Sequence, residues 1–204
     1  AKRKQGGELL GVVNTFSKKL MVLTYSLVGL KADVDFLIWR VGTSLEALQE
    51  MSGAVRQTAM AGYLSMPHAY LSMTKRSTYV DKLDPDHPDK RRFITPFRSR
   101  YLFVYPFVKT PEWYQLPFDR RQAMMDEHIT LGNKYKSVRI HTTYSFGLDD
   151  QEFVLAFETD KPQDFLDLVQ EMRESKARPY TLRDTPIFTC VAKPMVEILE
   201  EIGG

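Results

Sequence analysis

The chain has 204 residues, 43% hydrophobic and 26% charged, which suits one large or two small globular domains and excludes disorder as its main state. Twenty-eight basic against twenty-six acidic side chains leave a formal charge of +2, too even for a nucleic-acid or membrane-surface footprint, so neither partner is expected. The single cysteine, Cys190, cannot form an internal disulfide, no apolar run approaches the ~18 residues of a membrane span, and no apolar leader opens the chain, so a cytoplasmic location is expected.

In chain order, Glu8-Leu9-Leu10-Gly11-Val12-Val13 reads as helix interior. Thr24-Tyr25-Ser26, a turn at Gly29-Leu30 and the apolar run Val34 to Val41 read as strand, turn and strand. Thr43-Ser44 caps a helix predicted over about 45–60, with Leu45, Leu48, Met51 and Val55 on one stripe, and Pro67 to Thr74 is predicted as a closing strand. Residues 75–99 carry Pro85, Pro88 and Pro96, many charges and little periodicity, which marks a linker. Its basic cluster of Lys90-Arg91-Arg92, Arg98 and Arg100 fits either a solvated loop or an anion clamp. Beyond it, Tyr101 to Val108 reads as a strand and Pro117 to Tyr135 as a helix. Thr143-Tyr144-Ser145 and Phe153 to Glu158 follow as strands. Pro162 opens a helix whose stripe is Phe165, Leu168, Val169 and Met172, and Tyr180 to Ala192 closes as a strand.

The chain repeats itself. Thr24-Tyr25-Ser26 returns as Thr143-Tyr144-Ser145 after 119 residues, and Gln49-Glu50-Met51 returns as Gln170-Glu171-Met172 after 121. The second copy reads β-α-β-β-α-β, the ferredoxin-like order. Tyr101 lies 42 residues before Thr143 whereas only 23 residues precede Thr24, so the first copy is expected to begin inside its first helix, short by about nineteen residues and its opening strand. The expected organisation is therefore α+β, with antiparallel sheets built from two fused ferredoxin-like repeats, 1–74 and 100–204, around the linker at 75–99.

Four side chains stand out in the second copy. Met124, His128, Leu131 and Tyr135 share one helix face. A histidine there is most often a satisfied core residue, and the alternative is a ligand to iron in a heme, since no second His or Cys stands at zinc-site spacing. Alternation places Tyr105, Phe107 and Lys109 on one face of their strand; a strand end with a snorkelling lysine explains this, and so does a phenol and an ammonium facing an acidic ligand. Arg173, near the end of its helix, offsets the helix dipole or reaches a carboxylate. Cys190 reads as a buried strand residue.

The runs Tyr105-Pro106-Phe107-Val108-Lys109, Trp113-Tyr114, Met125-Asp126-Glu127-His128, Gly147-Leu148-Asp149-Asp150-Gln151-Glu152-Phe153, Glu171-Met172-Arg173 and Asp184-Thr185-Pro186-Ile187-Phe188 resemble, in order, the chlorite dismutase superfamily. The similarity covers about residues 8 to 192. It implies a dimeric α+β barrel of two ferredoxin-like repeats, assembled as a homo-oligomeric, pentameric ring, and it matches His128 to the proximal heme-iron ligand. The Tyr-Pro-x-x-Lys run resembles the coproheme decarboxylase branch, in which Tyr105 and Lys109 would be catalytic and Arg173 would hold substrate, with Arg91 or Arg92 as a further propionate contact. The position of the distal arginine of chlorite dismutases falls on Ile140, with Arg139 and His141 facing away, and Glu174 is the nearest candidate partner for the proximal imidazole. The activity this implies is hydrogen-peroxide-dependent decarboxylation of two propionates of iron coproporphyrin III to heme b. Chlorite decomposition and non-catalytic heme binding are the alternatives.

Overall fold

The structure, a computed structural model, describes residues 2–79 and 94–203. Helix α1 (Lys2–Phe16) leads into strand β1 (Met21–Ser26), which pairs antiparallel with β2 (Phe36–Val41) from Met21↔Val41 to Ser26↔Phe36. Gly29 turns this hairpin at φ +75, where a side chain would be strained. Ser44 then caps α2 (Leu45–Arg56), its Oγ accepting from the Ala47 N–H at 3.2 Å. The helix stops earlier than its periodicity predicts, and Ala59–Tyr63 forms a short 3₁₀ turn instead. Leu45 also leaves the predicted stripe, being 61% exposed.

The predicted strand at Pro67 to Thr74 does not form. Side chains of the hairpin turn in the second copy take the backbone groups that a neighbouring strand would have paired: the Leu71 N–H donates to Asp149 Oδ2 at 2.7 Å, and its carbonyl accepts from Ser145 Oγ at 2.7 Å. A single antiparallel bridge, Met73 to Tyr144, remains.

Strand β3 (Tyr101–Lys109) is followed by the one-and-a-half-turn helix α3 (Pro111–Gln115) and by α4 (Phe118–Lys134). Strands β4 (Arg139–Tyr144) and β5 (Phe153–Thr159) form the second hairpin, around Gly147 at φ +72. Helix α5 (Pro162–Arg173) opens on its proline, as the sequence indicates. The segment predicted as one strand from Tyr180 to Ala192 is two, β6 (Thr181–Arg183) and β7 (Phe188–Ala192), because Pro186 cannot donate to a ladder and Asp184 turns to two arginines. Helix α6 (Met195–Glu201) is the last described element. Both hairpins are antiparallel and the second copy has the β-α-β-β-α-β order, so the class is α+β.

The chain divides into two compact units, Ala1–Ala69 with Thr189–Gly204, and Tyr70–Phe188. In the first, β7 adds to β1 at Tyr25↔Ala192, and α1, α2 and α6 bury Leu9, Val13, Met51, Ile198 and Leu199 together. In the second, β3 pairs along β5 from Tyr101↔Thr159 to Phe107↔Phe153, and β4 pairs with the other edge of β5. Phe165, Leu168, Val169 and Met172 of α5 pack on the sheet face that carries Phe103, Tyr105 and Phe157. Each such side chain contributes about 1.5–3 kcal/mol when fully buried. No helix among the described residues is long and apolar enough to cross a membrane. Cys190 is buried, and burial pushes its thiol up to about 12, which leaves it inert.

Candidate functional site

Two strands and a helix frame the candidate site. Tyr105 lies mid-strand in β3, 9% exposed, its ring stacked on Phe157 with centroids 5.6 Å apart. Phe157 is cross-strand neighbour to Ile140 on β4. Helix α4 crosses this same face at Gly132: a Cβ there would sit 3.5 Å from Ile140 Cδ1 and 3.7 Å from Met172 Cε, ordinary contact distances. His128 is one turn before Gly132 on the same helix face, and Met124, one turn earlier again, packs against Trp113. His128 is thereby held between the Trp113 end and the Ile140 end of the face that carries Tyr105.

Burial pushes the His128 imidazole down to about 4, and the Lys109 charge adds to this while Glu127 opposes it. The ring is neutral near pH 7, the form that ligates iron. Glu127, not Glu174, is the carboxylate whose charge raises the affinity of this ring for a proton. Glu127 also accepts the Lys176 N–H at 3.1 Å, tying α4 to the turn that follows α5, whereas Glu174 caps the end of α5.

Lys109 ends β3 just after an irregularity in its pairing with β6, and its Nζ stands 4.3 Å from the Trp113 ring centroid and 5.2 Å from that of Phe107. Burial pulls its ammonium down to about 8; Glu152 opposes this and Arg178 adds to it. The Glu152 carboxylate accepts the Lys109 backbone N–H at 2.7 Å and the Tyr114 hydroxyl at 2.6 Å, through the same oxygen. Burial first, then this hydrogen bond and the Glu152 charge, raises the Tyr114 phenol above its ordinary range.

At this same C-terminal end of α5, Arg173 bonds Asp184 Oδ2, and Arg178 Nη1 reaches the same oxygen at 2.8 Å. All three charges reach Tyr105. Burial and Asp184 push its phenol above the usual tyrosine range, and the two guanidiniums pull the other way, so it stays protonated at any working pH. Each guanidinium has five N–H donors, which leaves donors beyond the bond to Asp184.

The residues singled out in the sequence thus divide. Tyr105, Lys109, His128, Ile140 and Arg173 lie around one face of the second unit. Arg91 and Arg92 lie outside the described residues. Ile140 is 37% exposed although its neighbours His141 and Thr143 are buried on the opposite face, so the alternation holds. Arg139 is turned from that face and lies 4.1 Å over the Phe97 ring, and His141 Nε2 pairs with buried Glu158 at 2.7 Å. Arg178 and the structural role of Glu152 escaped sequence reasoning. Arg178 stands beyond the end of α5, where no periodicity assigns a face, and only its shared bond to Asp184 ties it to Arg173.

Residues 2–193 match the family model described as chlorite dismutase. A coproheme decarboxylase from Mycolicibacterium smegmatis is 35% identical over 81% of this chain and 70% of its own length, and one from Thermus thermophilus is 32% identical over 73% of the chain and 62% of its own. A putative heme-binding protein from Halobacterium salinarum is 36% identical over 73% of the chain, which spans only 33% of that protein. Among solved structures, a chlorite dismutase variant from Candidatus Nitrospira defluvii superposes with a TM-score of 0.89 at 27% identity, covering 100% of this chain and 87% of that one.

Proposed function

The chain belongs to the chlorite dismutase family, and within it we propose that it catalyses hydrogen-peroxide-dependent decarboxylation of iron coproporphyrin III, yielding heme b. The observation that carries this reading is that one unit carries a neutral, buried imidazole at 128, a protonated phenol at 105 whose nearest charges are Asp184, Arg173 and Arg178, and a buried Lys109 whose charge acts on the imidazole. The substrate fits that donor set. Its iron needs one neutral imidazole, its flat macrocycle an apolar wall such as Ile140, Met172 and Phe157, and its four carboxylates counter-charge in a poorly solvated place.

When bound, the iron porphyrin supplies the oxidising power of peroxide. His128 would be the residue that holds its iron. Tyr105, once it has lost an electron and its hydroxyl proton, takes a hydrogen atom from a propionate β-carbon. A second electron leaves the carbon skeleton, the bond to the carboxylate breaks, and carbon dioxide departs from a new vinyl group. Each propionate consumes one hydrogen peroxide and one proton and releases two waters. Lys109 fixes the reacting carboxylate, and orientation of this kind is worth several kcal/mol of a barrier, about 7 or more in the best cases. Arg173 and Arg178 hold a neighbouring carboxylate with the donors that Asp184 leaves over. Asp184 itself keeps both guanidiniums in place. Arg139, which rests on Phe97, and Ile140 argue against a distal cation of the kind chlorite decomposition needs. A homo-oligomeric ring of five copies and a cytoplasmic setting belong to the same reading.

Incubation with iron coproporphyrin III and peroxide, followed by mass spectrometry of the porphyrin, tests it. Wild type is expected to release two carbon dioxide units per porphyrin. Tyr105→Phe is expected to bind the same porphyrin and return it unaltered. Equal turnover by both proteins removes Tyr105 from the chemistry.

A further inference from the structure

We propose that Tyr114 and Glu152 form a second redox-active pair, an outlet through which oxidising equivalents raised by peroxide at the His128 site leave the protein. The proposal rests on the reading just given for its oxidant, and on independent geometry for the pair itself.

A phenol is hard to oxidise while it keeps its proton, because the resulting cation radical is a very strong acid. A tyrosine whose hydroxyl already donates to a carboxylate loses electron and proton together. Tyr114 is placed for this, its hydroxyl 2.6 Å from Glu152 Oε2, within the short range of charge-assisted O–H···O bonds. Other tyrosines near the site are less well served. The Tyr79 hydroxyl accepts from Arg121 at 3.3 Å, and a guanidinium takes no proton. Tyr135 also donates to a carboxylate, Glu171, at 2.6 Å, but the Lys134 ammonium bonds that same group at 2.7 Å and weakens it as a base. The two described hydrogen-bond donors to the Glu152 carboxylate are both neutral, an amide N–H and the phenol.

Tyr114 is also connected inward. Its chain neighbour Trp113 is buried in a cluster with Met124, one helical turn from His128, and with Met125, Tyr79 and Tyr180, all readily oxidised side chains. Outward, the Tyr114 ring is 37% exposed and meets Phe146 edge-on, so a radical there is within reach of solutes. In the proposed step Tyr114 yields one electron to the oxidised site and its hydroxyl proton to Glu152. A neutral phenoxyl and a protonated carboxyl remain. A one-electron reductant in solution, such as a phenol or ascorbate, returns the phenoxyl to the phenol as Glu152 hands its proton back; two such cycles, with two protons from solvent, reduce one hydrogen peroxide to two waters. The outlet acts when peroxide reacts with no propionate in place for Tyr105.

Two experiments on the full chain test this. In the first, the protein without porphyrin is photo-oxidised by a diffusing ruthenium complex and persulfate, with a nitroxide trap and peptide mapping. Tyr63 is 74% exposed, twice as open as Tyr114, so simple access favours Tyr63. Trapping is expected to favour Tyr114, and Glu152→Gln is expected to reverse the order. More adduct on Tyr63 or on Tyr135 than on Tyr114 in wild type, or no change in Glu152→Gln, overturns the pair. In the second, protein loaded with iron porphyrin receives excess peroxide. The expected result is trapped radical at Tyr114 and faster bleaching of the porphyrin band in Tyr114→Phe. Decarboxylation accompanied by adducts elsewhere and unchanged bleaching overturns the outlet and leaves the proposed function standing. Absence of porphyrin binding removes the proposed function and the outlet with it, while the photochemical result still decides whether the pair is redox-active.

Discussion

The two copies use one scaffold for opposite ends. Subtracting the 119-residue offset from His128 lands on Leu9, and from Gly132 on Val13; subtracting 121 from Arg173 lands on Ser52. In the first copy Leu9 is fully buried and Val13 nearly so, packed with Met51 of α2 and with Met195, Ile198 and Leu199 of α6. In the second, the same helix positions hold an imidazole and a bare glycine, and α5 ends on an arginine. One copy closes its helix–sheet interface with hydrocarbon, and the other leaves an imidazole, a phenol and an arginine along it. Fold and site are therefore separable properties of this chain.

The comparison breaks most completely if His128→Leu makes the second copy like the first. Titration with iron porphyrin, followed in the Soret region, is expected to lose the imidazole-ligated spectrum altogether while the protein stays folded. The reciprocal change, Leu9→His, is expected to cost about 3–5 kcal/mol in urea unfolding, since it strands a polar ring in a packed core and forfeits buried methyl groups. It is not expected to create a second porphyrin site, because α6 side chains fill that space.

Acid sharpens the same contrast. With His128 pushed down to about 4 from an ordinary 6.5, both folded and unfolded chains carry a neutral imidazole above pH 6.5. As pH falls from 6.5 toward 4 only the unfolded chain takes up this proton, so stability falls with pH in that window, by about 3 kcal/mol. Urea melts of the porphyrin-free protein at pH 7 and pH 4.5 are expected to show this drop, and His128→Leu is expected to shrink it. Glu158, held below the usual carboxylate range by His141 and by the Phe97 and Arg98 amides against its burial, adds its own loss only as pH falls below about 4.5. A drop of equal size in both proteins shows that the imbalance at His128 is not what acid attacks.

Much of this was legible before any coordinates. Periodicity located α2, α4 and α5, and Gly29 and Gly147 mark corresponding left-handed turns in the two hairpins. The failures share a cause. Pro67 to Thr74 has the composition of a strand, but Asp149 and Ser145 claim the backbone groups of Leu71, and nothing local in 67–74 announces that. Tyr105 and Lys109 could be placed on a face by alternation. That Asp184 ties Arg173 to Arg178, and that Glu152 braces Lys109 and Tyr114 together, depends on contacts across 6 to 43 residues of chain, which no pattern of period 2 or 3.6 encodes.

The smallest expected effect lies at Ser52, the counterpart of Arg173. Its hydroxyl accepts from Arg40 Nη1 at 2.6 Å and donates to the Leu48 carbonyl at 3.1 Å, while the same Arg40 nitrogen also reaches that carbonyl at 3.0 Å. Ser52→Ala removes one acceptor from a half-buried guanidinium that keeps another, so the expected loss is about 1 kcal/mol, read as a lower urea midpoint with unchanged slope. Ser52→Arg is the sharper version. It places a second guanidinium beside Arg40 with no acid such as Asp184 among its described neighbours, so repulsion is expected to add to the loss rather than to build a carboxylate-binding site. An arginine at this position becomes useful only when an aspartate like Asp184 is there to hold it, and that acid is what the first copy lacks among its described contacts.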